Sequence, residues 1–525
     1  MTAEDPQAEV LAFLADPATH GMILADEEVK RIDTHAAAVF LAGGQVYKIK
    51  RRVRFPFLDF STLEKRKAAC EAELAVNRAF APAIYRGVVP ITREADGTLA
   101  IGGAGTPIEW AVEMARFDET ATLDQVAARG ELDLALADTL ARVVAAAHAR
   151  APVTDAKDWL TRLAGYIEQN RGELNDHPEL FEPAEIGTLA RASRTALRRV
   201  EQLLRERGEA GLVRRGHGDL HLGNLVLIDR EPVVFDAIEF DPLIATGDVL
   251  YDLAFLLMDL IERGLDAAAN VVLNRYLAET RRPEDLDGLA ALPLFLSLRA
   301  AIRAKVTAAR VDLNAPDDDA AVAAARSYFR LALRLIAPPR ARLVAVGGLS
   351  GTGKSTLARA LAPTLAPAPG AVVLRTDVER KILFNVDETD RLPTAAYAPE
   401  VTRRVYAALA DKARRVTAAG HTAIIDAVFA QPDERAKAAA AARASHVDFH
   451  GLFLATSVDE RVARVSSRAK DASDADATVA REQESYDLGT LDWKKVDASG
   501  PLDQTLAAAQ GALAHIPAKW TPVRR

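Results

Sequence analysis

One cysteine in 525 residues, Cys70, has no partner for an internal disulfide, which fits a reducing compartment. Basic residues are not in excess either. There are 66 Lys and Arg against 74 Asp and Glu, for a formal net charge of −8, which argues against a nucleic-acid binder working through a broad basic surface. Local basic clusters, such as residues 48–54, can still meet phosphate. No uncharged apolar run is long enough to span a bilayer. The best candidate, residues 249–260, carries Asp252 and Asp259 and reads as a buried helix. The opening MTAEDPQAEV is acidic and lacks the basic-then-apolar pattern of a signal peptide. These absences set the expectation of a cytoplasmic protein with no nucleic-acid and no membrane partner. The chain carries no internal repeat, and its length fits two to four domains.

What is present starts with residues 348–355, GLSGTGKS, which fit the phosphate-loop pattern G-x-x-x-x-G-K-[ST] at every fixed position. An apolar segment, 343–346, precedes the loop and reads as a buried strand. The segment 356–361, TLARAL, reads as the start of a helix. Strand, glycine loop and helix are what a triphosphate needs. The glycines Gly348, Gly351 and Gly353 let the backbone N–H groups of Ser350, Thr352 and Thr356 turn inward, and the helix N-terminus adds partial positive charge. Lys354 reaches the β- and γ-phosphates, and Ser355 holds Mg²⁺. Further on, apolar strands alternate with helices at 342–347, 371–376, 422–426 and 447–455, the rhythm of a parallel sheet covered by helices. Two of these strands end in carboxylates. Asp377 follows the second, where substrate binds in such sheets, with helix N-capping as its plainer role. Asp426 ends the third in the form of a Walker-B aspartate facing Mg²⁺. Arg461, Arg464 and Arg468 share a helical face and lead into a polar run at 470–475, an arrangement suited to a lid over transferring phosphate, with Arg464 and Arg468 as the phosphate contacts.

The first 337 residues carry a second, unrelated set. A β-rich region predicts strands at 29–34, 38–41, 45–49, 85–91 and 108–114, with a hairpin at Gly43-Gly44 and a helix over 63–80. Helices dominate 123–210 and continue from 242 to 336, where Pro338-Pro339 ends the last of them. This places the domain boundary at 337/338. Between the helical stretches lies HGDLHLGN, 217–224, followed by VVFD, 233–236. Protein kinases place a catalytic Asp five residues before a metal-binding Asn, with a second metal-binding Asp on a nearby turn. Asp219, Asn224 and Asp236 have that spacing. The Asp takes or orients the proton of the attacking hydroxyl, while the Asn and the second Asp hold Mg²⁺. Such a site also needs a lysine on an early strand paired with a helix glutamate. Lys48 is preferred, with Lys50 on the same face as the alternative; Glu73 is preferred over Glu71. Glu113 and Met114 stand where backbone groups would hold adenine. No G-x-G-x-x-G loop precedes Lys48; His35-Ala36-Ala37-Ala38 stands in its place.

HGDLHLGN with the downstream FDAIEFD resembles the aminoglycoside phosphotransferase-like family, over roughly residues 25–310. That resemblance implies a protein-kinase-like α+β fold and assigns Asp248 and Asp252, in GDVLYDLA, to bracing the catalytic loop. GGLSGTGKSTLA, RTDVERK, AIIDAVF and RVSSRAKDASDA resemble P-loop kinases of the gluconate-kinase and zeta-toxin type, over roughly 340–515. The whole chain resembles bacterial two-part proteins in which a phosphotransferase-like domain is fused to an AAA-type ATP-binding domain. The expected architecture is therefore an α+β kinase-like domain, 1–337, followed by an α/β P-loop domain with a mainly parallel sheet, 338–525. The expected function is ATP- and Mg²⁺-dependent phosphorylation of a small-molecule hydroxyl. Two alternatives stand beside it: a ligand-sensing pseudokinase coupled to a P-loop ATPase switch, and a zeta-toxin-like nucleotide-sugar kinase.

Overall fold

The computed structural model describes residues 7–22, 28–55, 58–311, 319–467 and 472–514. They pack as two compact units. One comprises Met1–Trp159 with Gly208–Asp259; the other comprises Leu160–Arg207 with Leu260–Arg525. The bounds of this division by packing differ from the boundary expected at 337/338.

The first unit is built on a six-stranded antiparallel sheet. Its strands are β1 (Lys30–Asp33), β2 (Ala37–Ala42), β3 (Gln45–Lys50), β4 (Tyr85–Arg93), β5 (Leu99–Ile101) and β6 (Thr106–Ala115), in the spatial order β1-β2-β3-β6-β4-β5. A two-residue turn at Gly43-Gly44 joins β2 to β3, and Gly43 takes a φ of +54° there. Only glycine adopts that region without steric cost. Strand β5, which was not expected from sequence, is three half-buried residues pairing only at the edge. Helix α1 (Leu63–Arg78) starts at Thr62, whose hydroxyl accepts from the Lys65 N–H, and packs on β4 and β6. It buries Cys70 completely, and burial pushes that thiol up to about 12, so it stays protonated.

Downstream, β7 (Val213–Arg215) pairs with β10 (Thr246–Asp248), and β8 (Leu225–Ile228) forms a hairpin with β9 (Glu231–Val234). Helix α2 (Val249–Glu262) follows β10 and is buried along nearly its whole length. Asp252 and Asp259 are therefore buried polar groups that need partners.

In the second unit, helices Leu292–Ala308 and Asp319–Ile336 pack on each other, and the Ser297 hydroxyl donates to the Ala332 carbonyl at 2.9 Å. The sheet of this unit is wholly parallel. Its strands are β11 (Arg342–Gly348), β12 (Val372–Arg375), β13 (Ala423–Asp426), β14 (Asp448–Ala455) and β15 (Lys494–Asp497), in the order β12-β13-β11-β14-β15. The chain steps to one side of β11 and then to the other, which creates a crevice at the carboxyl end of β11. The fifth strand was not expected from sequence. It is a polar edge strand, KKVD, with Val496 as its single buried residue. Helix α3 (Asp266–Thr280) closes the opposite edge. Asn270 and Asn274, one turn apart, both donate to the Ala371 carbonyl at 3.0 Å, and the Asn274 amide oxygen accepts from the Val373 N–H at 2.7 Å. Side-chain amides thus satisfy an edge that would otherwise invite a further strand.

Candidate functional sites

In the first unit, four elements place their polar residues together. Lys48 lies mid-strand on β3, and alternation puts Lys50 on the same face. Both lysines reach Glu73 of α1. Lys48 Nζ is 2.7 Å from one carboxylate oxygen and Lys50 Nζ is 2.5 Å from the other. Glu73 is fully buried. Burial alone would raise its pKa, but Lys48 and Lys50 outweigh that and hold it at about 2. Burial likewise opposes the Lys48 charge. The carboxylates of Asp236, at 2.8 Å, and of Glu73 overcome it and hold Lys48 well above the ordinary lysine value. Lys50 finds its second carboxylate in Glu239, at 2.5 Å. The sequence offered Lys48 or Lys50; the geometry uses both. Glu71 faces solvent and pairs with Lys67.

Asn77 sits four residues after Glu73 on the same face of α1. Its amide donates to the Ala237 carbonyl at 3.1 Å and accepts from the Ala237 N–H at 2.7 Å. It thereby fixes the residue after Asp236, which itself has a φ of +60°. Sequence reasoning missed Asn77, and the i+4 spacing from Glu73 was the available signal.

The β8–β9 hairpin explains why Asn224 and Asp236 belong together although twelve residues apart. Register pairs Leu225 with Val234, and the Phe235 N–H donates to the Asn224 carbonyl at 3.0 Å. Each residue lies just beyond one end of the hairpin. The Asn224 amide nitrogen donates to both the carbonyl (2.9 Å) and the carboxylate (3.1 Å) of Asp219. The amide oxygen is then the atom directed elsewhere. His221, unassigned from sequence, places Nε2 3.3 Å from the same Asp219 oxygen, while its Nδ1 accepts from the Gly223 N–H.

His217 donates through Nε2 to the Phe235 carbonyl at 2.8 Å, and its Nδ1 accepts from the Asp219 N–H. Burial lowers its pKa, so it is the neutral Nε2–H tautomer. The Asp252 carboxylate accepts from the N–H groups of His217 (2.8 Å) and Gly218 (3.0 Å), with His148 3.3 Å away, and Asp259 accepts from the Leu222 N–H at 3.0 Å. Asp248 caps its own helix by accepting from the Leu250 N–H. Asp252 carries the bracing role directly.

Glu113 and Met114 lie inside β6, where register pairs them with β3 on one side and β4 on the other. Their backbone groups belong to the ladder. The chain leaves the sheet only after Ala115, so the open connection begins at Arg116.

In the second unit the loop 348–353 runs from the end of β11 into helix α4 (Lys354–Leu361). Gly351 and Gly353 take φ values of +86° and +90°. A Cβ on Gly351 would lie 2.4 Å from the Arg461 carbonyl oxygen, and one on Gly348 would lie 2.8 Å from the Leu454 carbonyl oxygen. The conformation and the space both demand glycine. Ser350 donates its N–H to Gln483 (2.6 Å), and the Thr352 hydroxyl donates to the Leu349 carbonyl (2.8 Å). Lys354 Nζ reaches back to the same carbonyl at 3.1 Å, and Thr356 lies in the first turn of α4.

The Ser355 hydroxyl donates to Asp426 Oδ2 at 2.5 Å. Arg375, the last residue of β12, sits over that pair, with Nε 3.3 Å from Asp426 Oδ2 and Nη2 3.3 Å from Ser355 Oγ. Arg375 lies opposite Asp426 in the parallel ladder. Asp377 lies in the first turn of helix α5 (Thr376–Leu383), whose cap position is Arg375, so it is not an N-cap. Burial raises its pKa, with Arg375 pulling the other way.

Arg464, expected over phosphate, commits its guanidinium to the Thr352 (3.5 Å) and Ala498 (2.7 Å) carbonyls and braces the loop from outside. Arg461 is buried against Glu484. Arg468 lies outside the described residues. The end of the expected lid is pinned. Asp474 accepts from Lys381 (2.8 Å), the Leu392 N–H (3.0 Å) and the Tyr397 hydroxyl (2.5 Å).

Both sites present hard oxygen donors in small number: Asn224 and Asp236 in one, Ser355 and Asp426 in the other. That set fits Mg²⁺, which takes one or two protein oxygens and completes its shell with phosphates and water. Among the described residues, no three His, Cys, Asp or Glu side chains converge as an all-protein metal cage. No helix among them is long and apolar enough to cross a membrane.

Residues 45–292 match the phosphotransferase enzyme family, and residues 343–487 match a family described as an AAA domain. A Mycobacterium tuberculosis protein described as uncharacterized is 29% identical over 499 residues, 91% of this chain and 94% of that one. Among solved structures, choline kinase from Cryptosporidium parvum Iowa II aligns with a TM-score of 0.39 at 12% identity, covering 62% of this chain and 93% of its own. A gluconokinase from Sinorhizobium meliloti 1021 aligns with a TM-score of 0.24 at 19% identity, covering 33% and 91%. The chain therefore joins a segment that matches the phosphotransferase enzyme family to one that matches the AAA domain family.

Proposed function

We propose that residues 1–337 transfer the γ-phosphoryl group of ATP to a hydroxyl of a small molecule, and that residues 338–525 form a second ATP-using module of the P-loop kinase type. One observation carries the first part. Lys48 is held between Glu73 and Asp236, at 2.7 and 2.8 Å, while Asn224 and Asp219 are joined by the amide of Asn224. Lys48 would hold the α- and β-phosphates. Asp219, kept in place by Asn224 and His221, would orient the acceptor hydroxyl and take its proton. Asn224 and Asp236 would hold Mg²⁺ in the first module, and Ser355 and Asp426 in the second. When bound, the metal neutralises charge on the transferring phosphate. Adenine would meet the backbone of the connection after Ala115, beyond the ladder that occupies Glu113 and Met114. In the second module, the first-turn amides of α4 and Lys354 would grip the phosphates, the Ser350 N–H being held by Gln483 and the Thr352 N–H by the Leu349 carbonyl, and Asp377, with its raised pKa, would meet the acceptor hydroxyl.

The test is a mass-spectrometric screen of a metabolite pool with ATP, comparing wild type with Asp219→Ala and Lys354→Ala. A phosphorylated acceptor formed with ADP and lost in Asp219→Ala supports the reading. Release of ADP with free phosphate alone, equal in wild type and Asp219→Ala, overturns it in favour of an ATPase switch.

A further inference from the structure

The corner that Ser355 and Asp426 offer to a metal already has a cation beside it, and that cation is a side chain. Arg375 is largely buried and bridges both oxygens, at 3.3 Å each. These contacts are long for charge-assisted hydrogen bonds, which close to about 2.7–2.9 Å, whereas Ser355 and Asp426 are only 2.5 Å apart. The guanidinium thus lies beside a tight pair, at longer range than the two oxygens lie from each other. A second carboxylate stands ready, with Arg375 Nη1 3.9 Å from Glu388 Oε1. The other oxygen of Glu388 is held at 2.8 Å by Arg275 of α3. The groups facing Arg375 include Ser355 and Asp426 on one side, Glu388 on the other, and Asp377 within electrostatic reach.

A divalent cation and a guanidinium cannot share one carboxylate corner without strong repulsion. We propose that Arg375 is the built-in counter-cation of the P-loop metal corner. It neutralises Asp426 until a metal–nucleotide complex arrives, then shifts to Glu388, and so sets how much Mg²⁺ the site requires. Arg375 acts here as a positioning residue. The inference rests on the reading of residues 348–355 as a nucleotide loop.

The experiment uses the full-length chain. Calorimetric titration with a non-hydrolysable ATP analogue is run across a Mg²⁺ series and in EDTA, and binding by the loop is taken as the part lost in Lys354→Ala. Arg375→Met should lower the half-saturating Mg²⁺ concentration roughly tenfold and weaken metal-free nucleotide binding. Glu388→Gln should move the requirement the opposite way, because Arg375 then has only Asp426 to hold. An unchanged Mg²⁺ requirement in both variants, or a shift in the same direction in both, overturns the proposal. Absence of any Lys354-dependent binding in wild type overturns the nucleotide-loop reading beneath it.

Discussion

The two sites hold charge by opposite means. In the P-loop unit the candidate site is one continuous stretch, residues 348–356, a glycine loop running into a helix N-terminus. In the other unit the candidate site is assembled from side chains, Lys48, Glu73, Asp219, Asn224 and Asp236, brought together from distant parts of the chain. Backbone amides cost little to bury once they are aligned, so the loop needs glycines and space. Side-chain charges are costly to bury unless each is paired, so the first site needs a closed network: Lys50–Glu73–Lys48–Asp236, with Glu239 at its far end. Local sequence therefore specifies the second site, while the first depends on tertiary closure.

The largest expected effect tests the chemistry of the discontinuous site. Asp219→Ala should reduce acceptor phosphorylation by ~10²–10⁴-fold and leave Lys354-dependent nucleotide binding unchanged. An equal loss of both would erase the separation between the sites. Next, Glu73→Gln removes the carboxylate that two buried ammonium groups share, leaving Lys48 with Asp236 and Lys50 with Glu239; breaking such a network costs about 3–5 kcal/mol, and chemical denaturation followed by tryptophan fluorescence would show it. The same variant has a pH signature. Glu73 is held at about 2 against an ordinary 4.5. It thus contributes stability that is fully present above 4.5 and is lost as pH falls towards 2. Wild type should lose stability more steeply across that window than Glu73→Gln.

A smaller effect is expected from Asp252→Asn, which weakens the acceptor of two backbone N–H groups in the catalytic loop. The cost should be about 1–3 kcal/mol, seen as a lower kcat for acceptor phosphorylation with little change in nucleotide affinity. Smallest is Asn274→Ala, which uncovers the Val373 N–H on the edge of the parallel sheet. It should cost about 1 kcal/mol in denaturant midpoint and leave the first site untouched.

Particular residues show where legibility stopped. Asp219, Asn224 and Asp236 could be named because the spacing is fixed by a short loop and a hairpin whose turn length the chain itself sets. Lys48 and Lys50 could not be separated, because strand alternation places both on one face and only the packing of α1 shows that Glu73 takes both. Arg375 lay inside the strand expected at 371–376, but its contacts with Ser355 and Asp426 appear only once β12 lies beside β13. Arg464 had the right charge in the right neighbourhood. Carbonyls from Thr352 and Ala498, distant in sequence, decide where its guanidinium goes. Strand β15 was missed because a four-residue edge strand with one buried side chain leaves no periodic signal.

What the sequence determined alone is the set of locally encoded devices: a glycine loop between strand and helix, a catalytic segment with fixed internal spacing, and the alternation that makes one sheet parallel. These rest on backbone sterics and short-range periodicity. The tertiary structure alone decided which charges neutralise which. Ion pairing depends on distances of a few ångströms between elements tens or hundreds of residues apart, and nothing local in a chain encodes the distance between Lys48 and Asp236 or between Arg375 and Glu388.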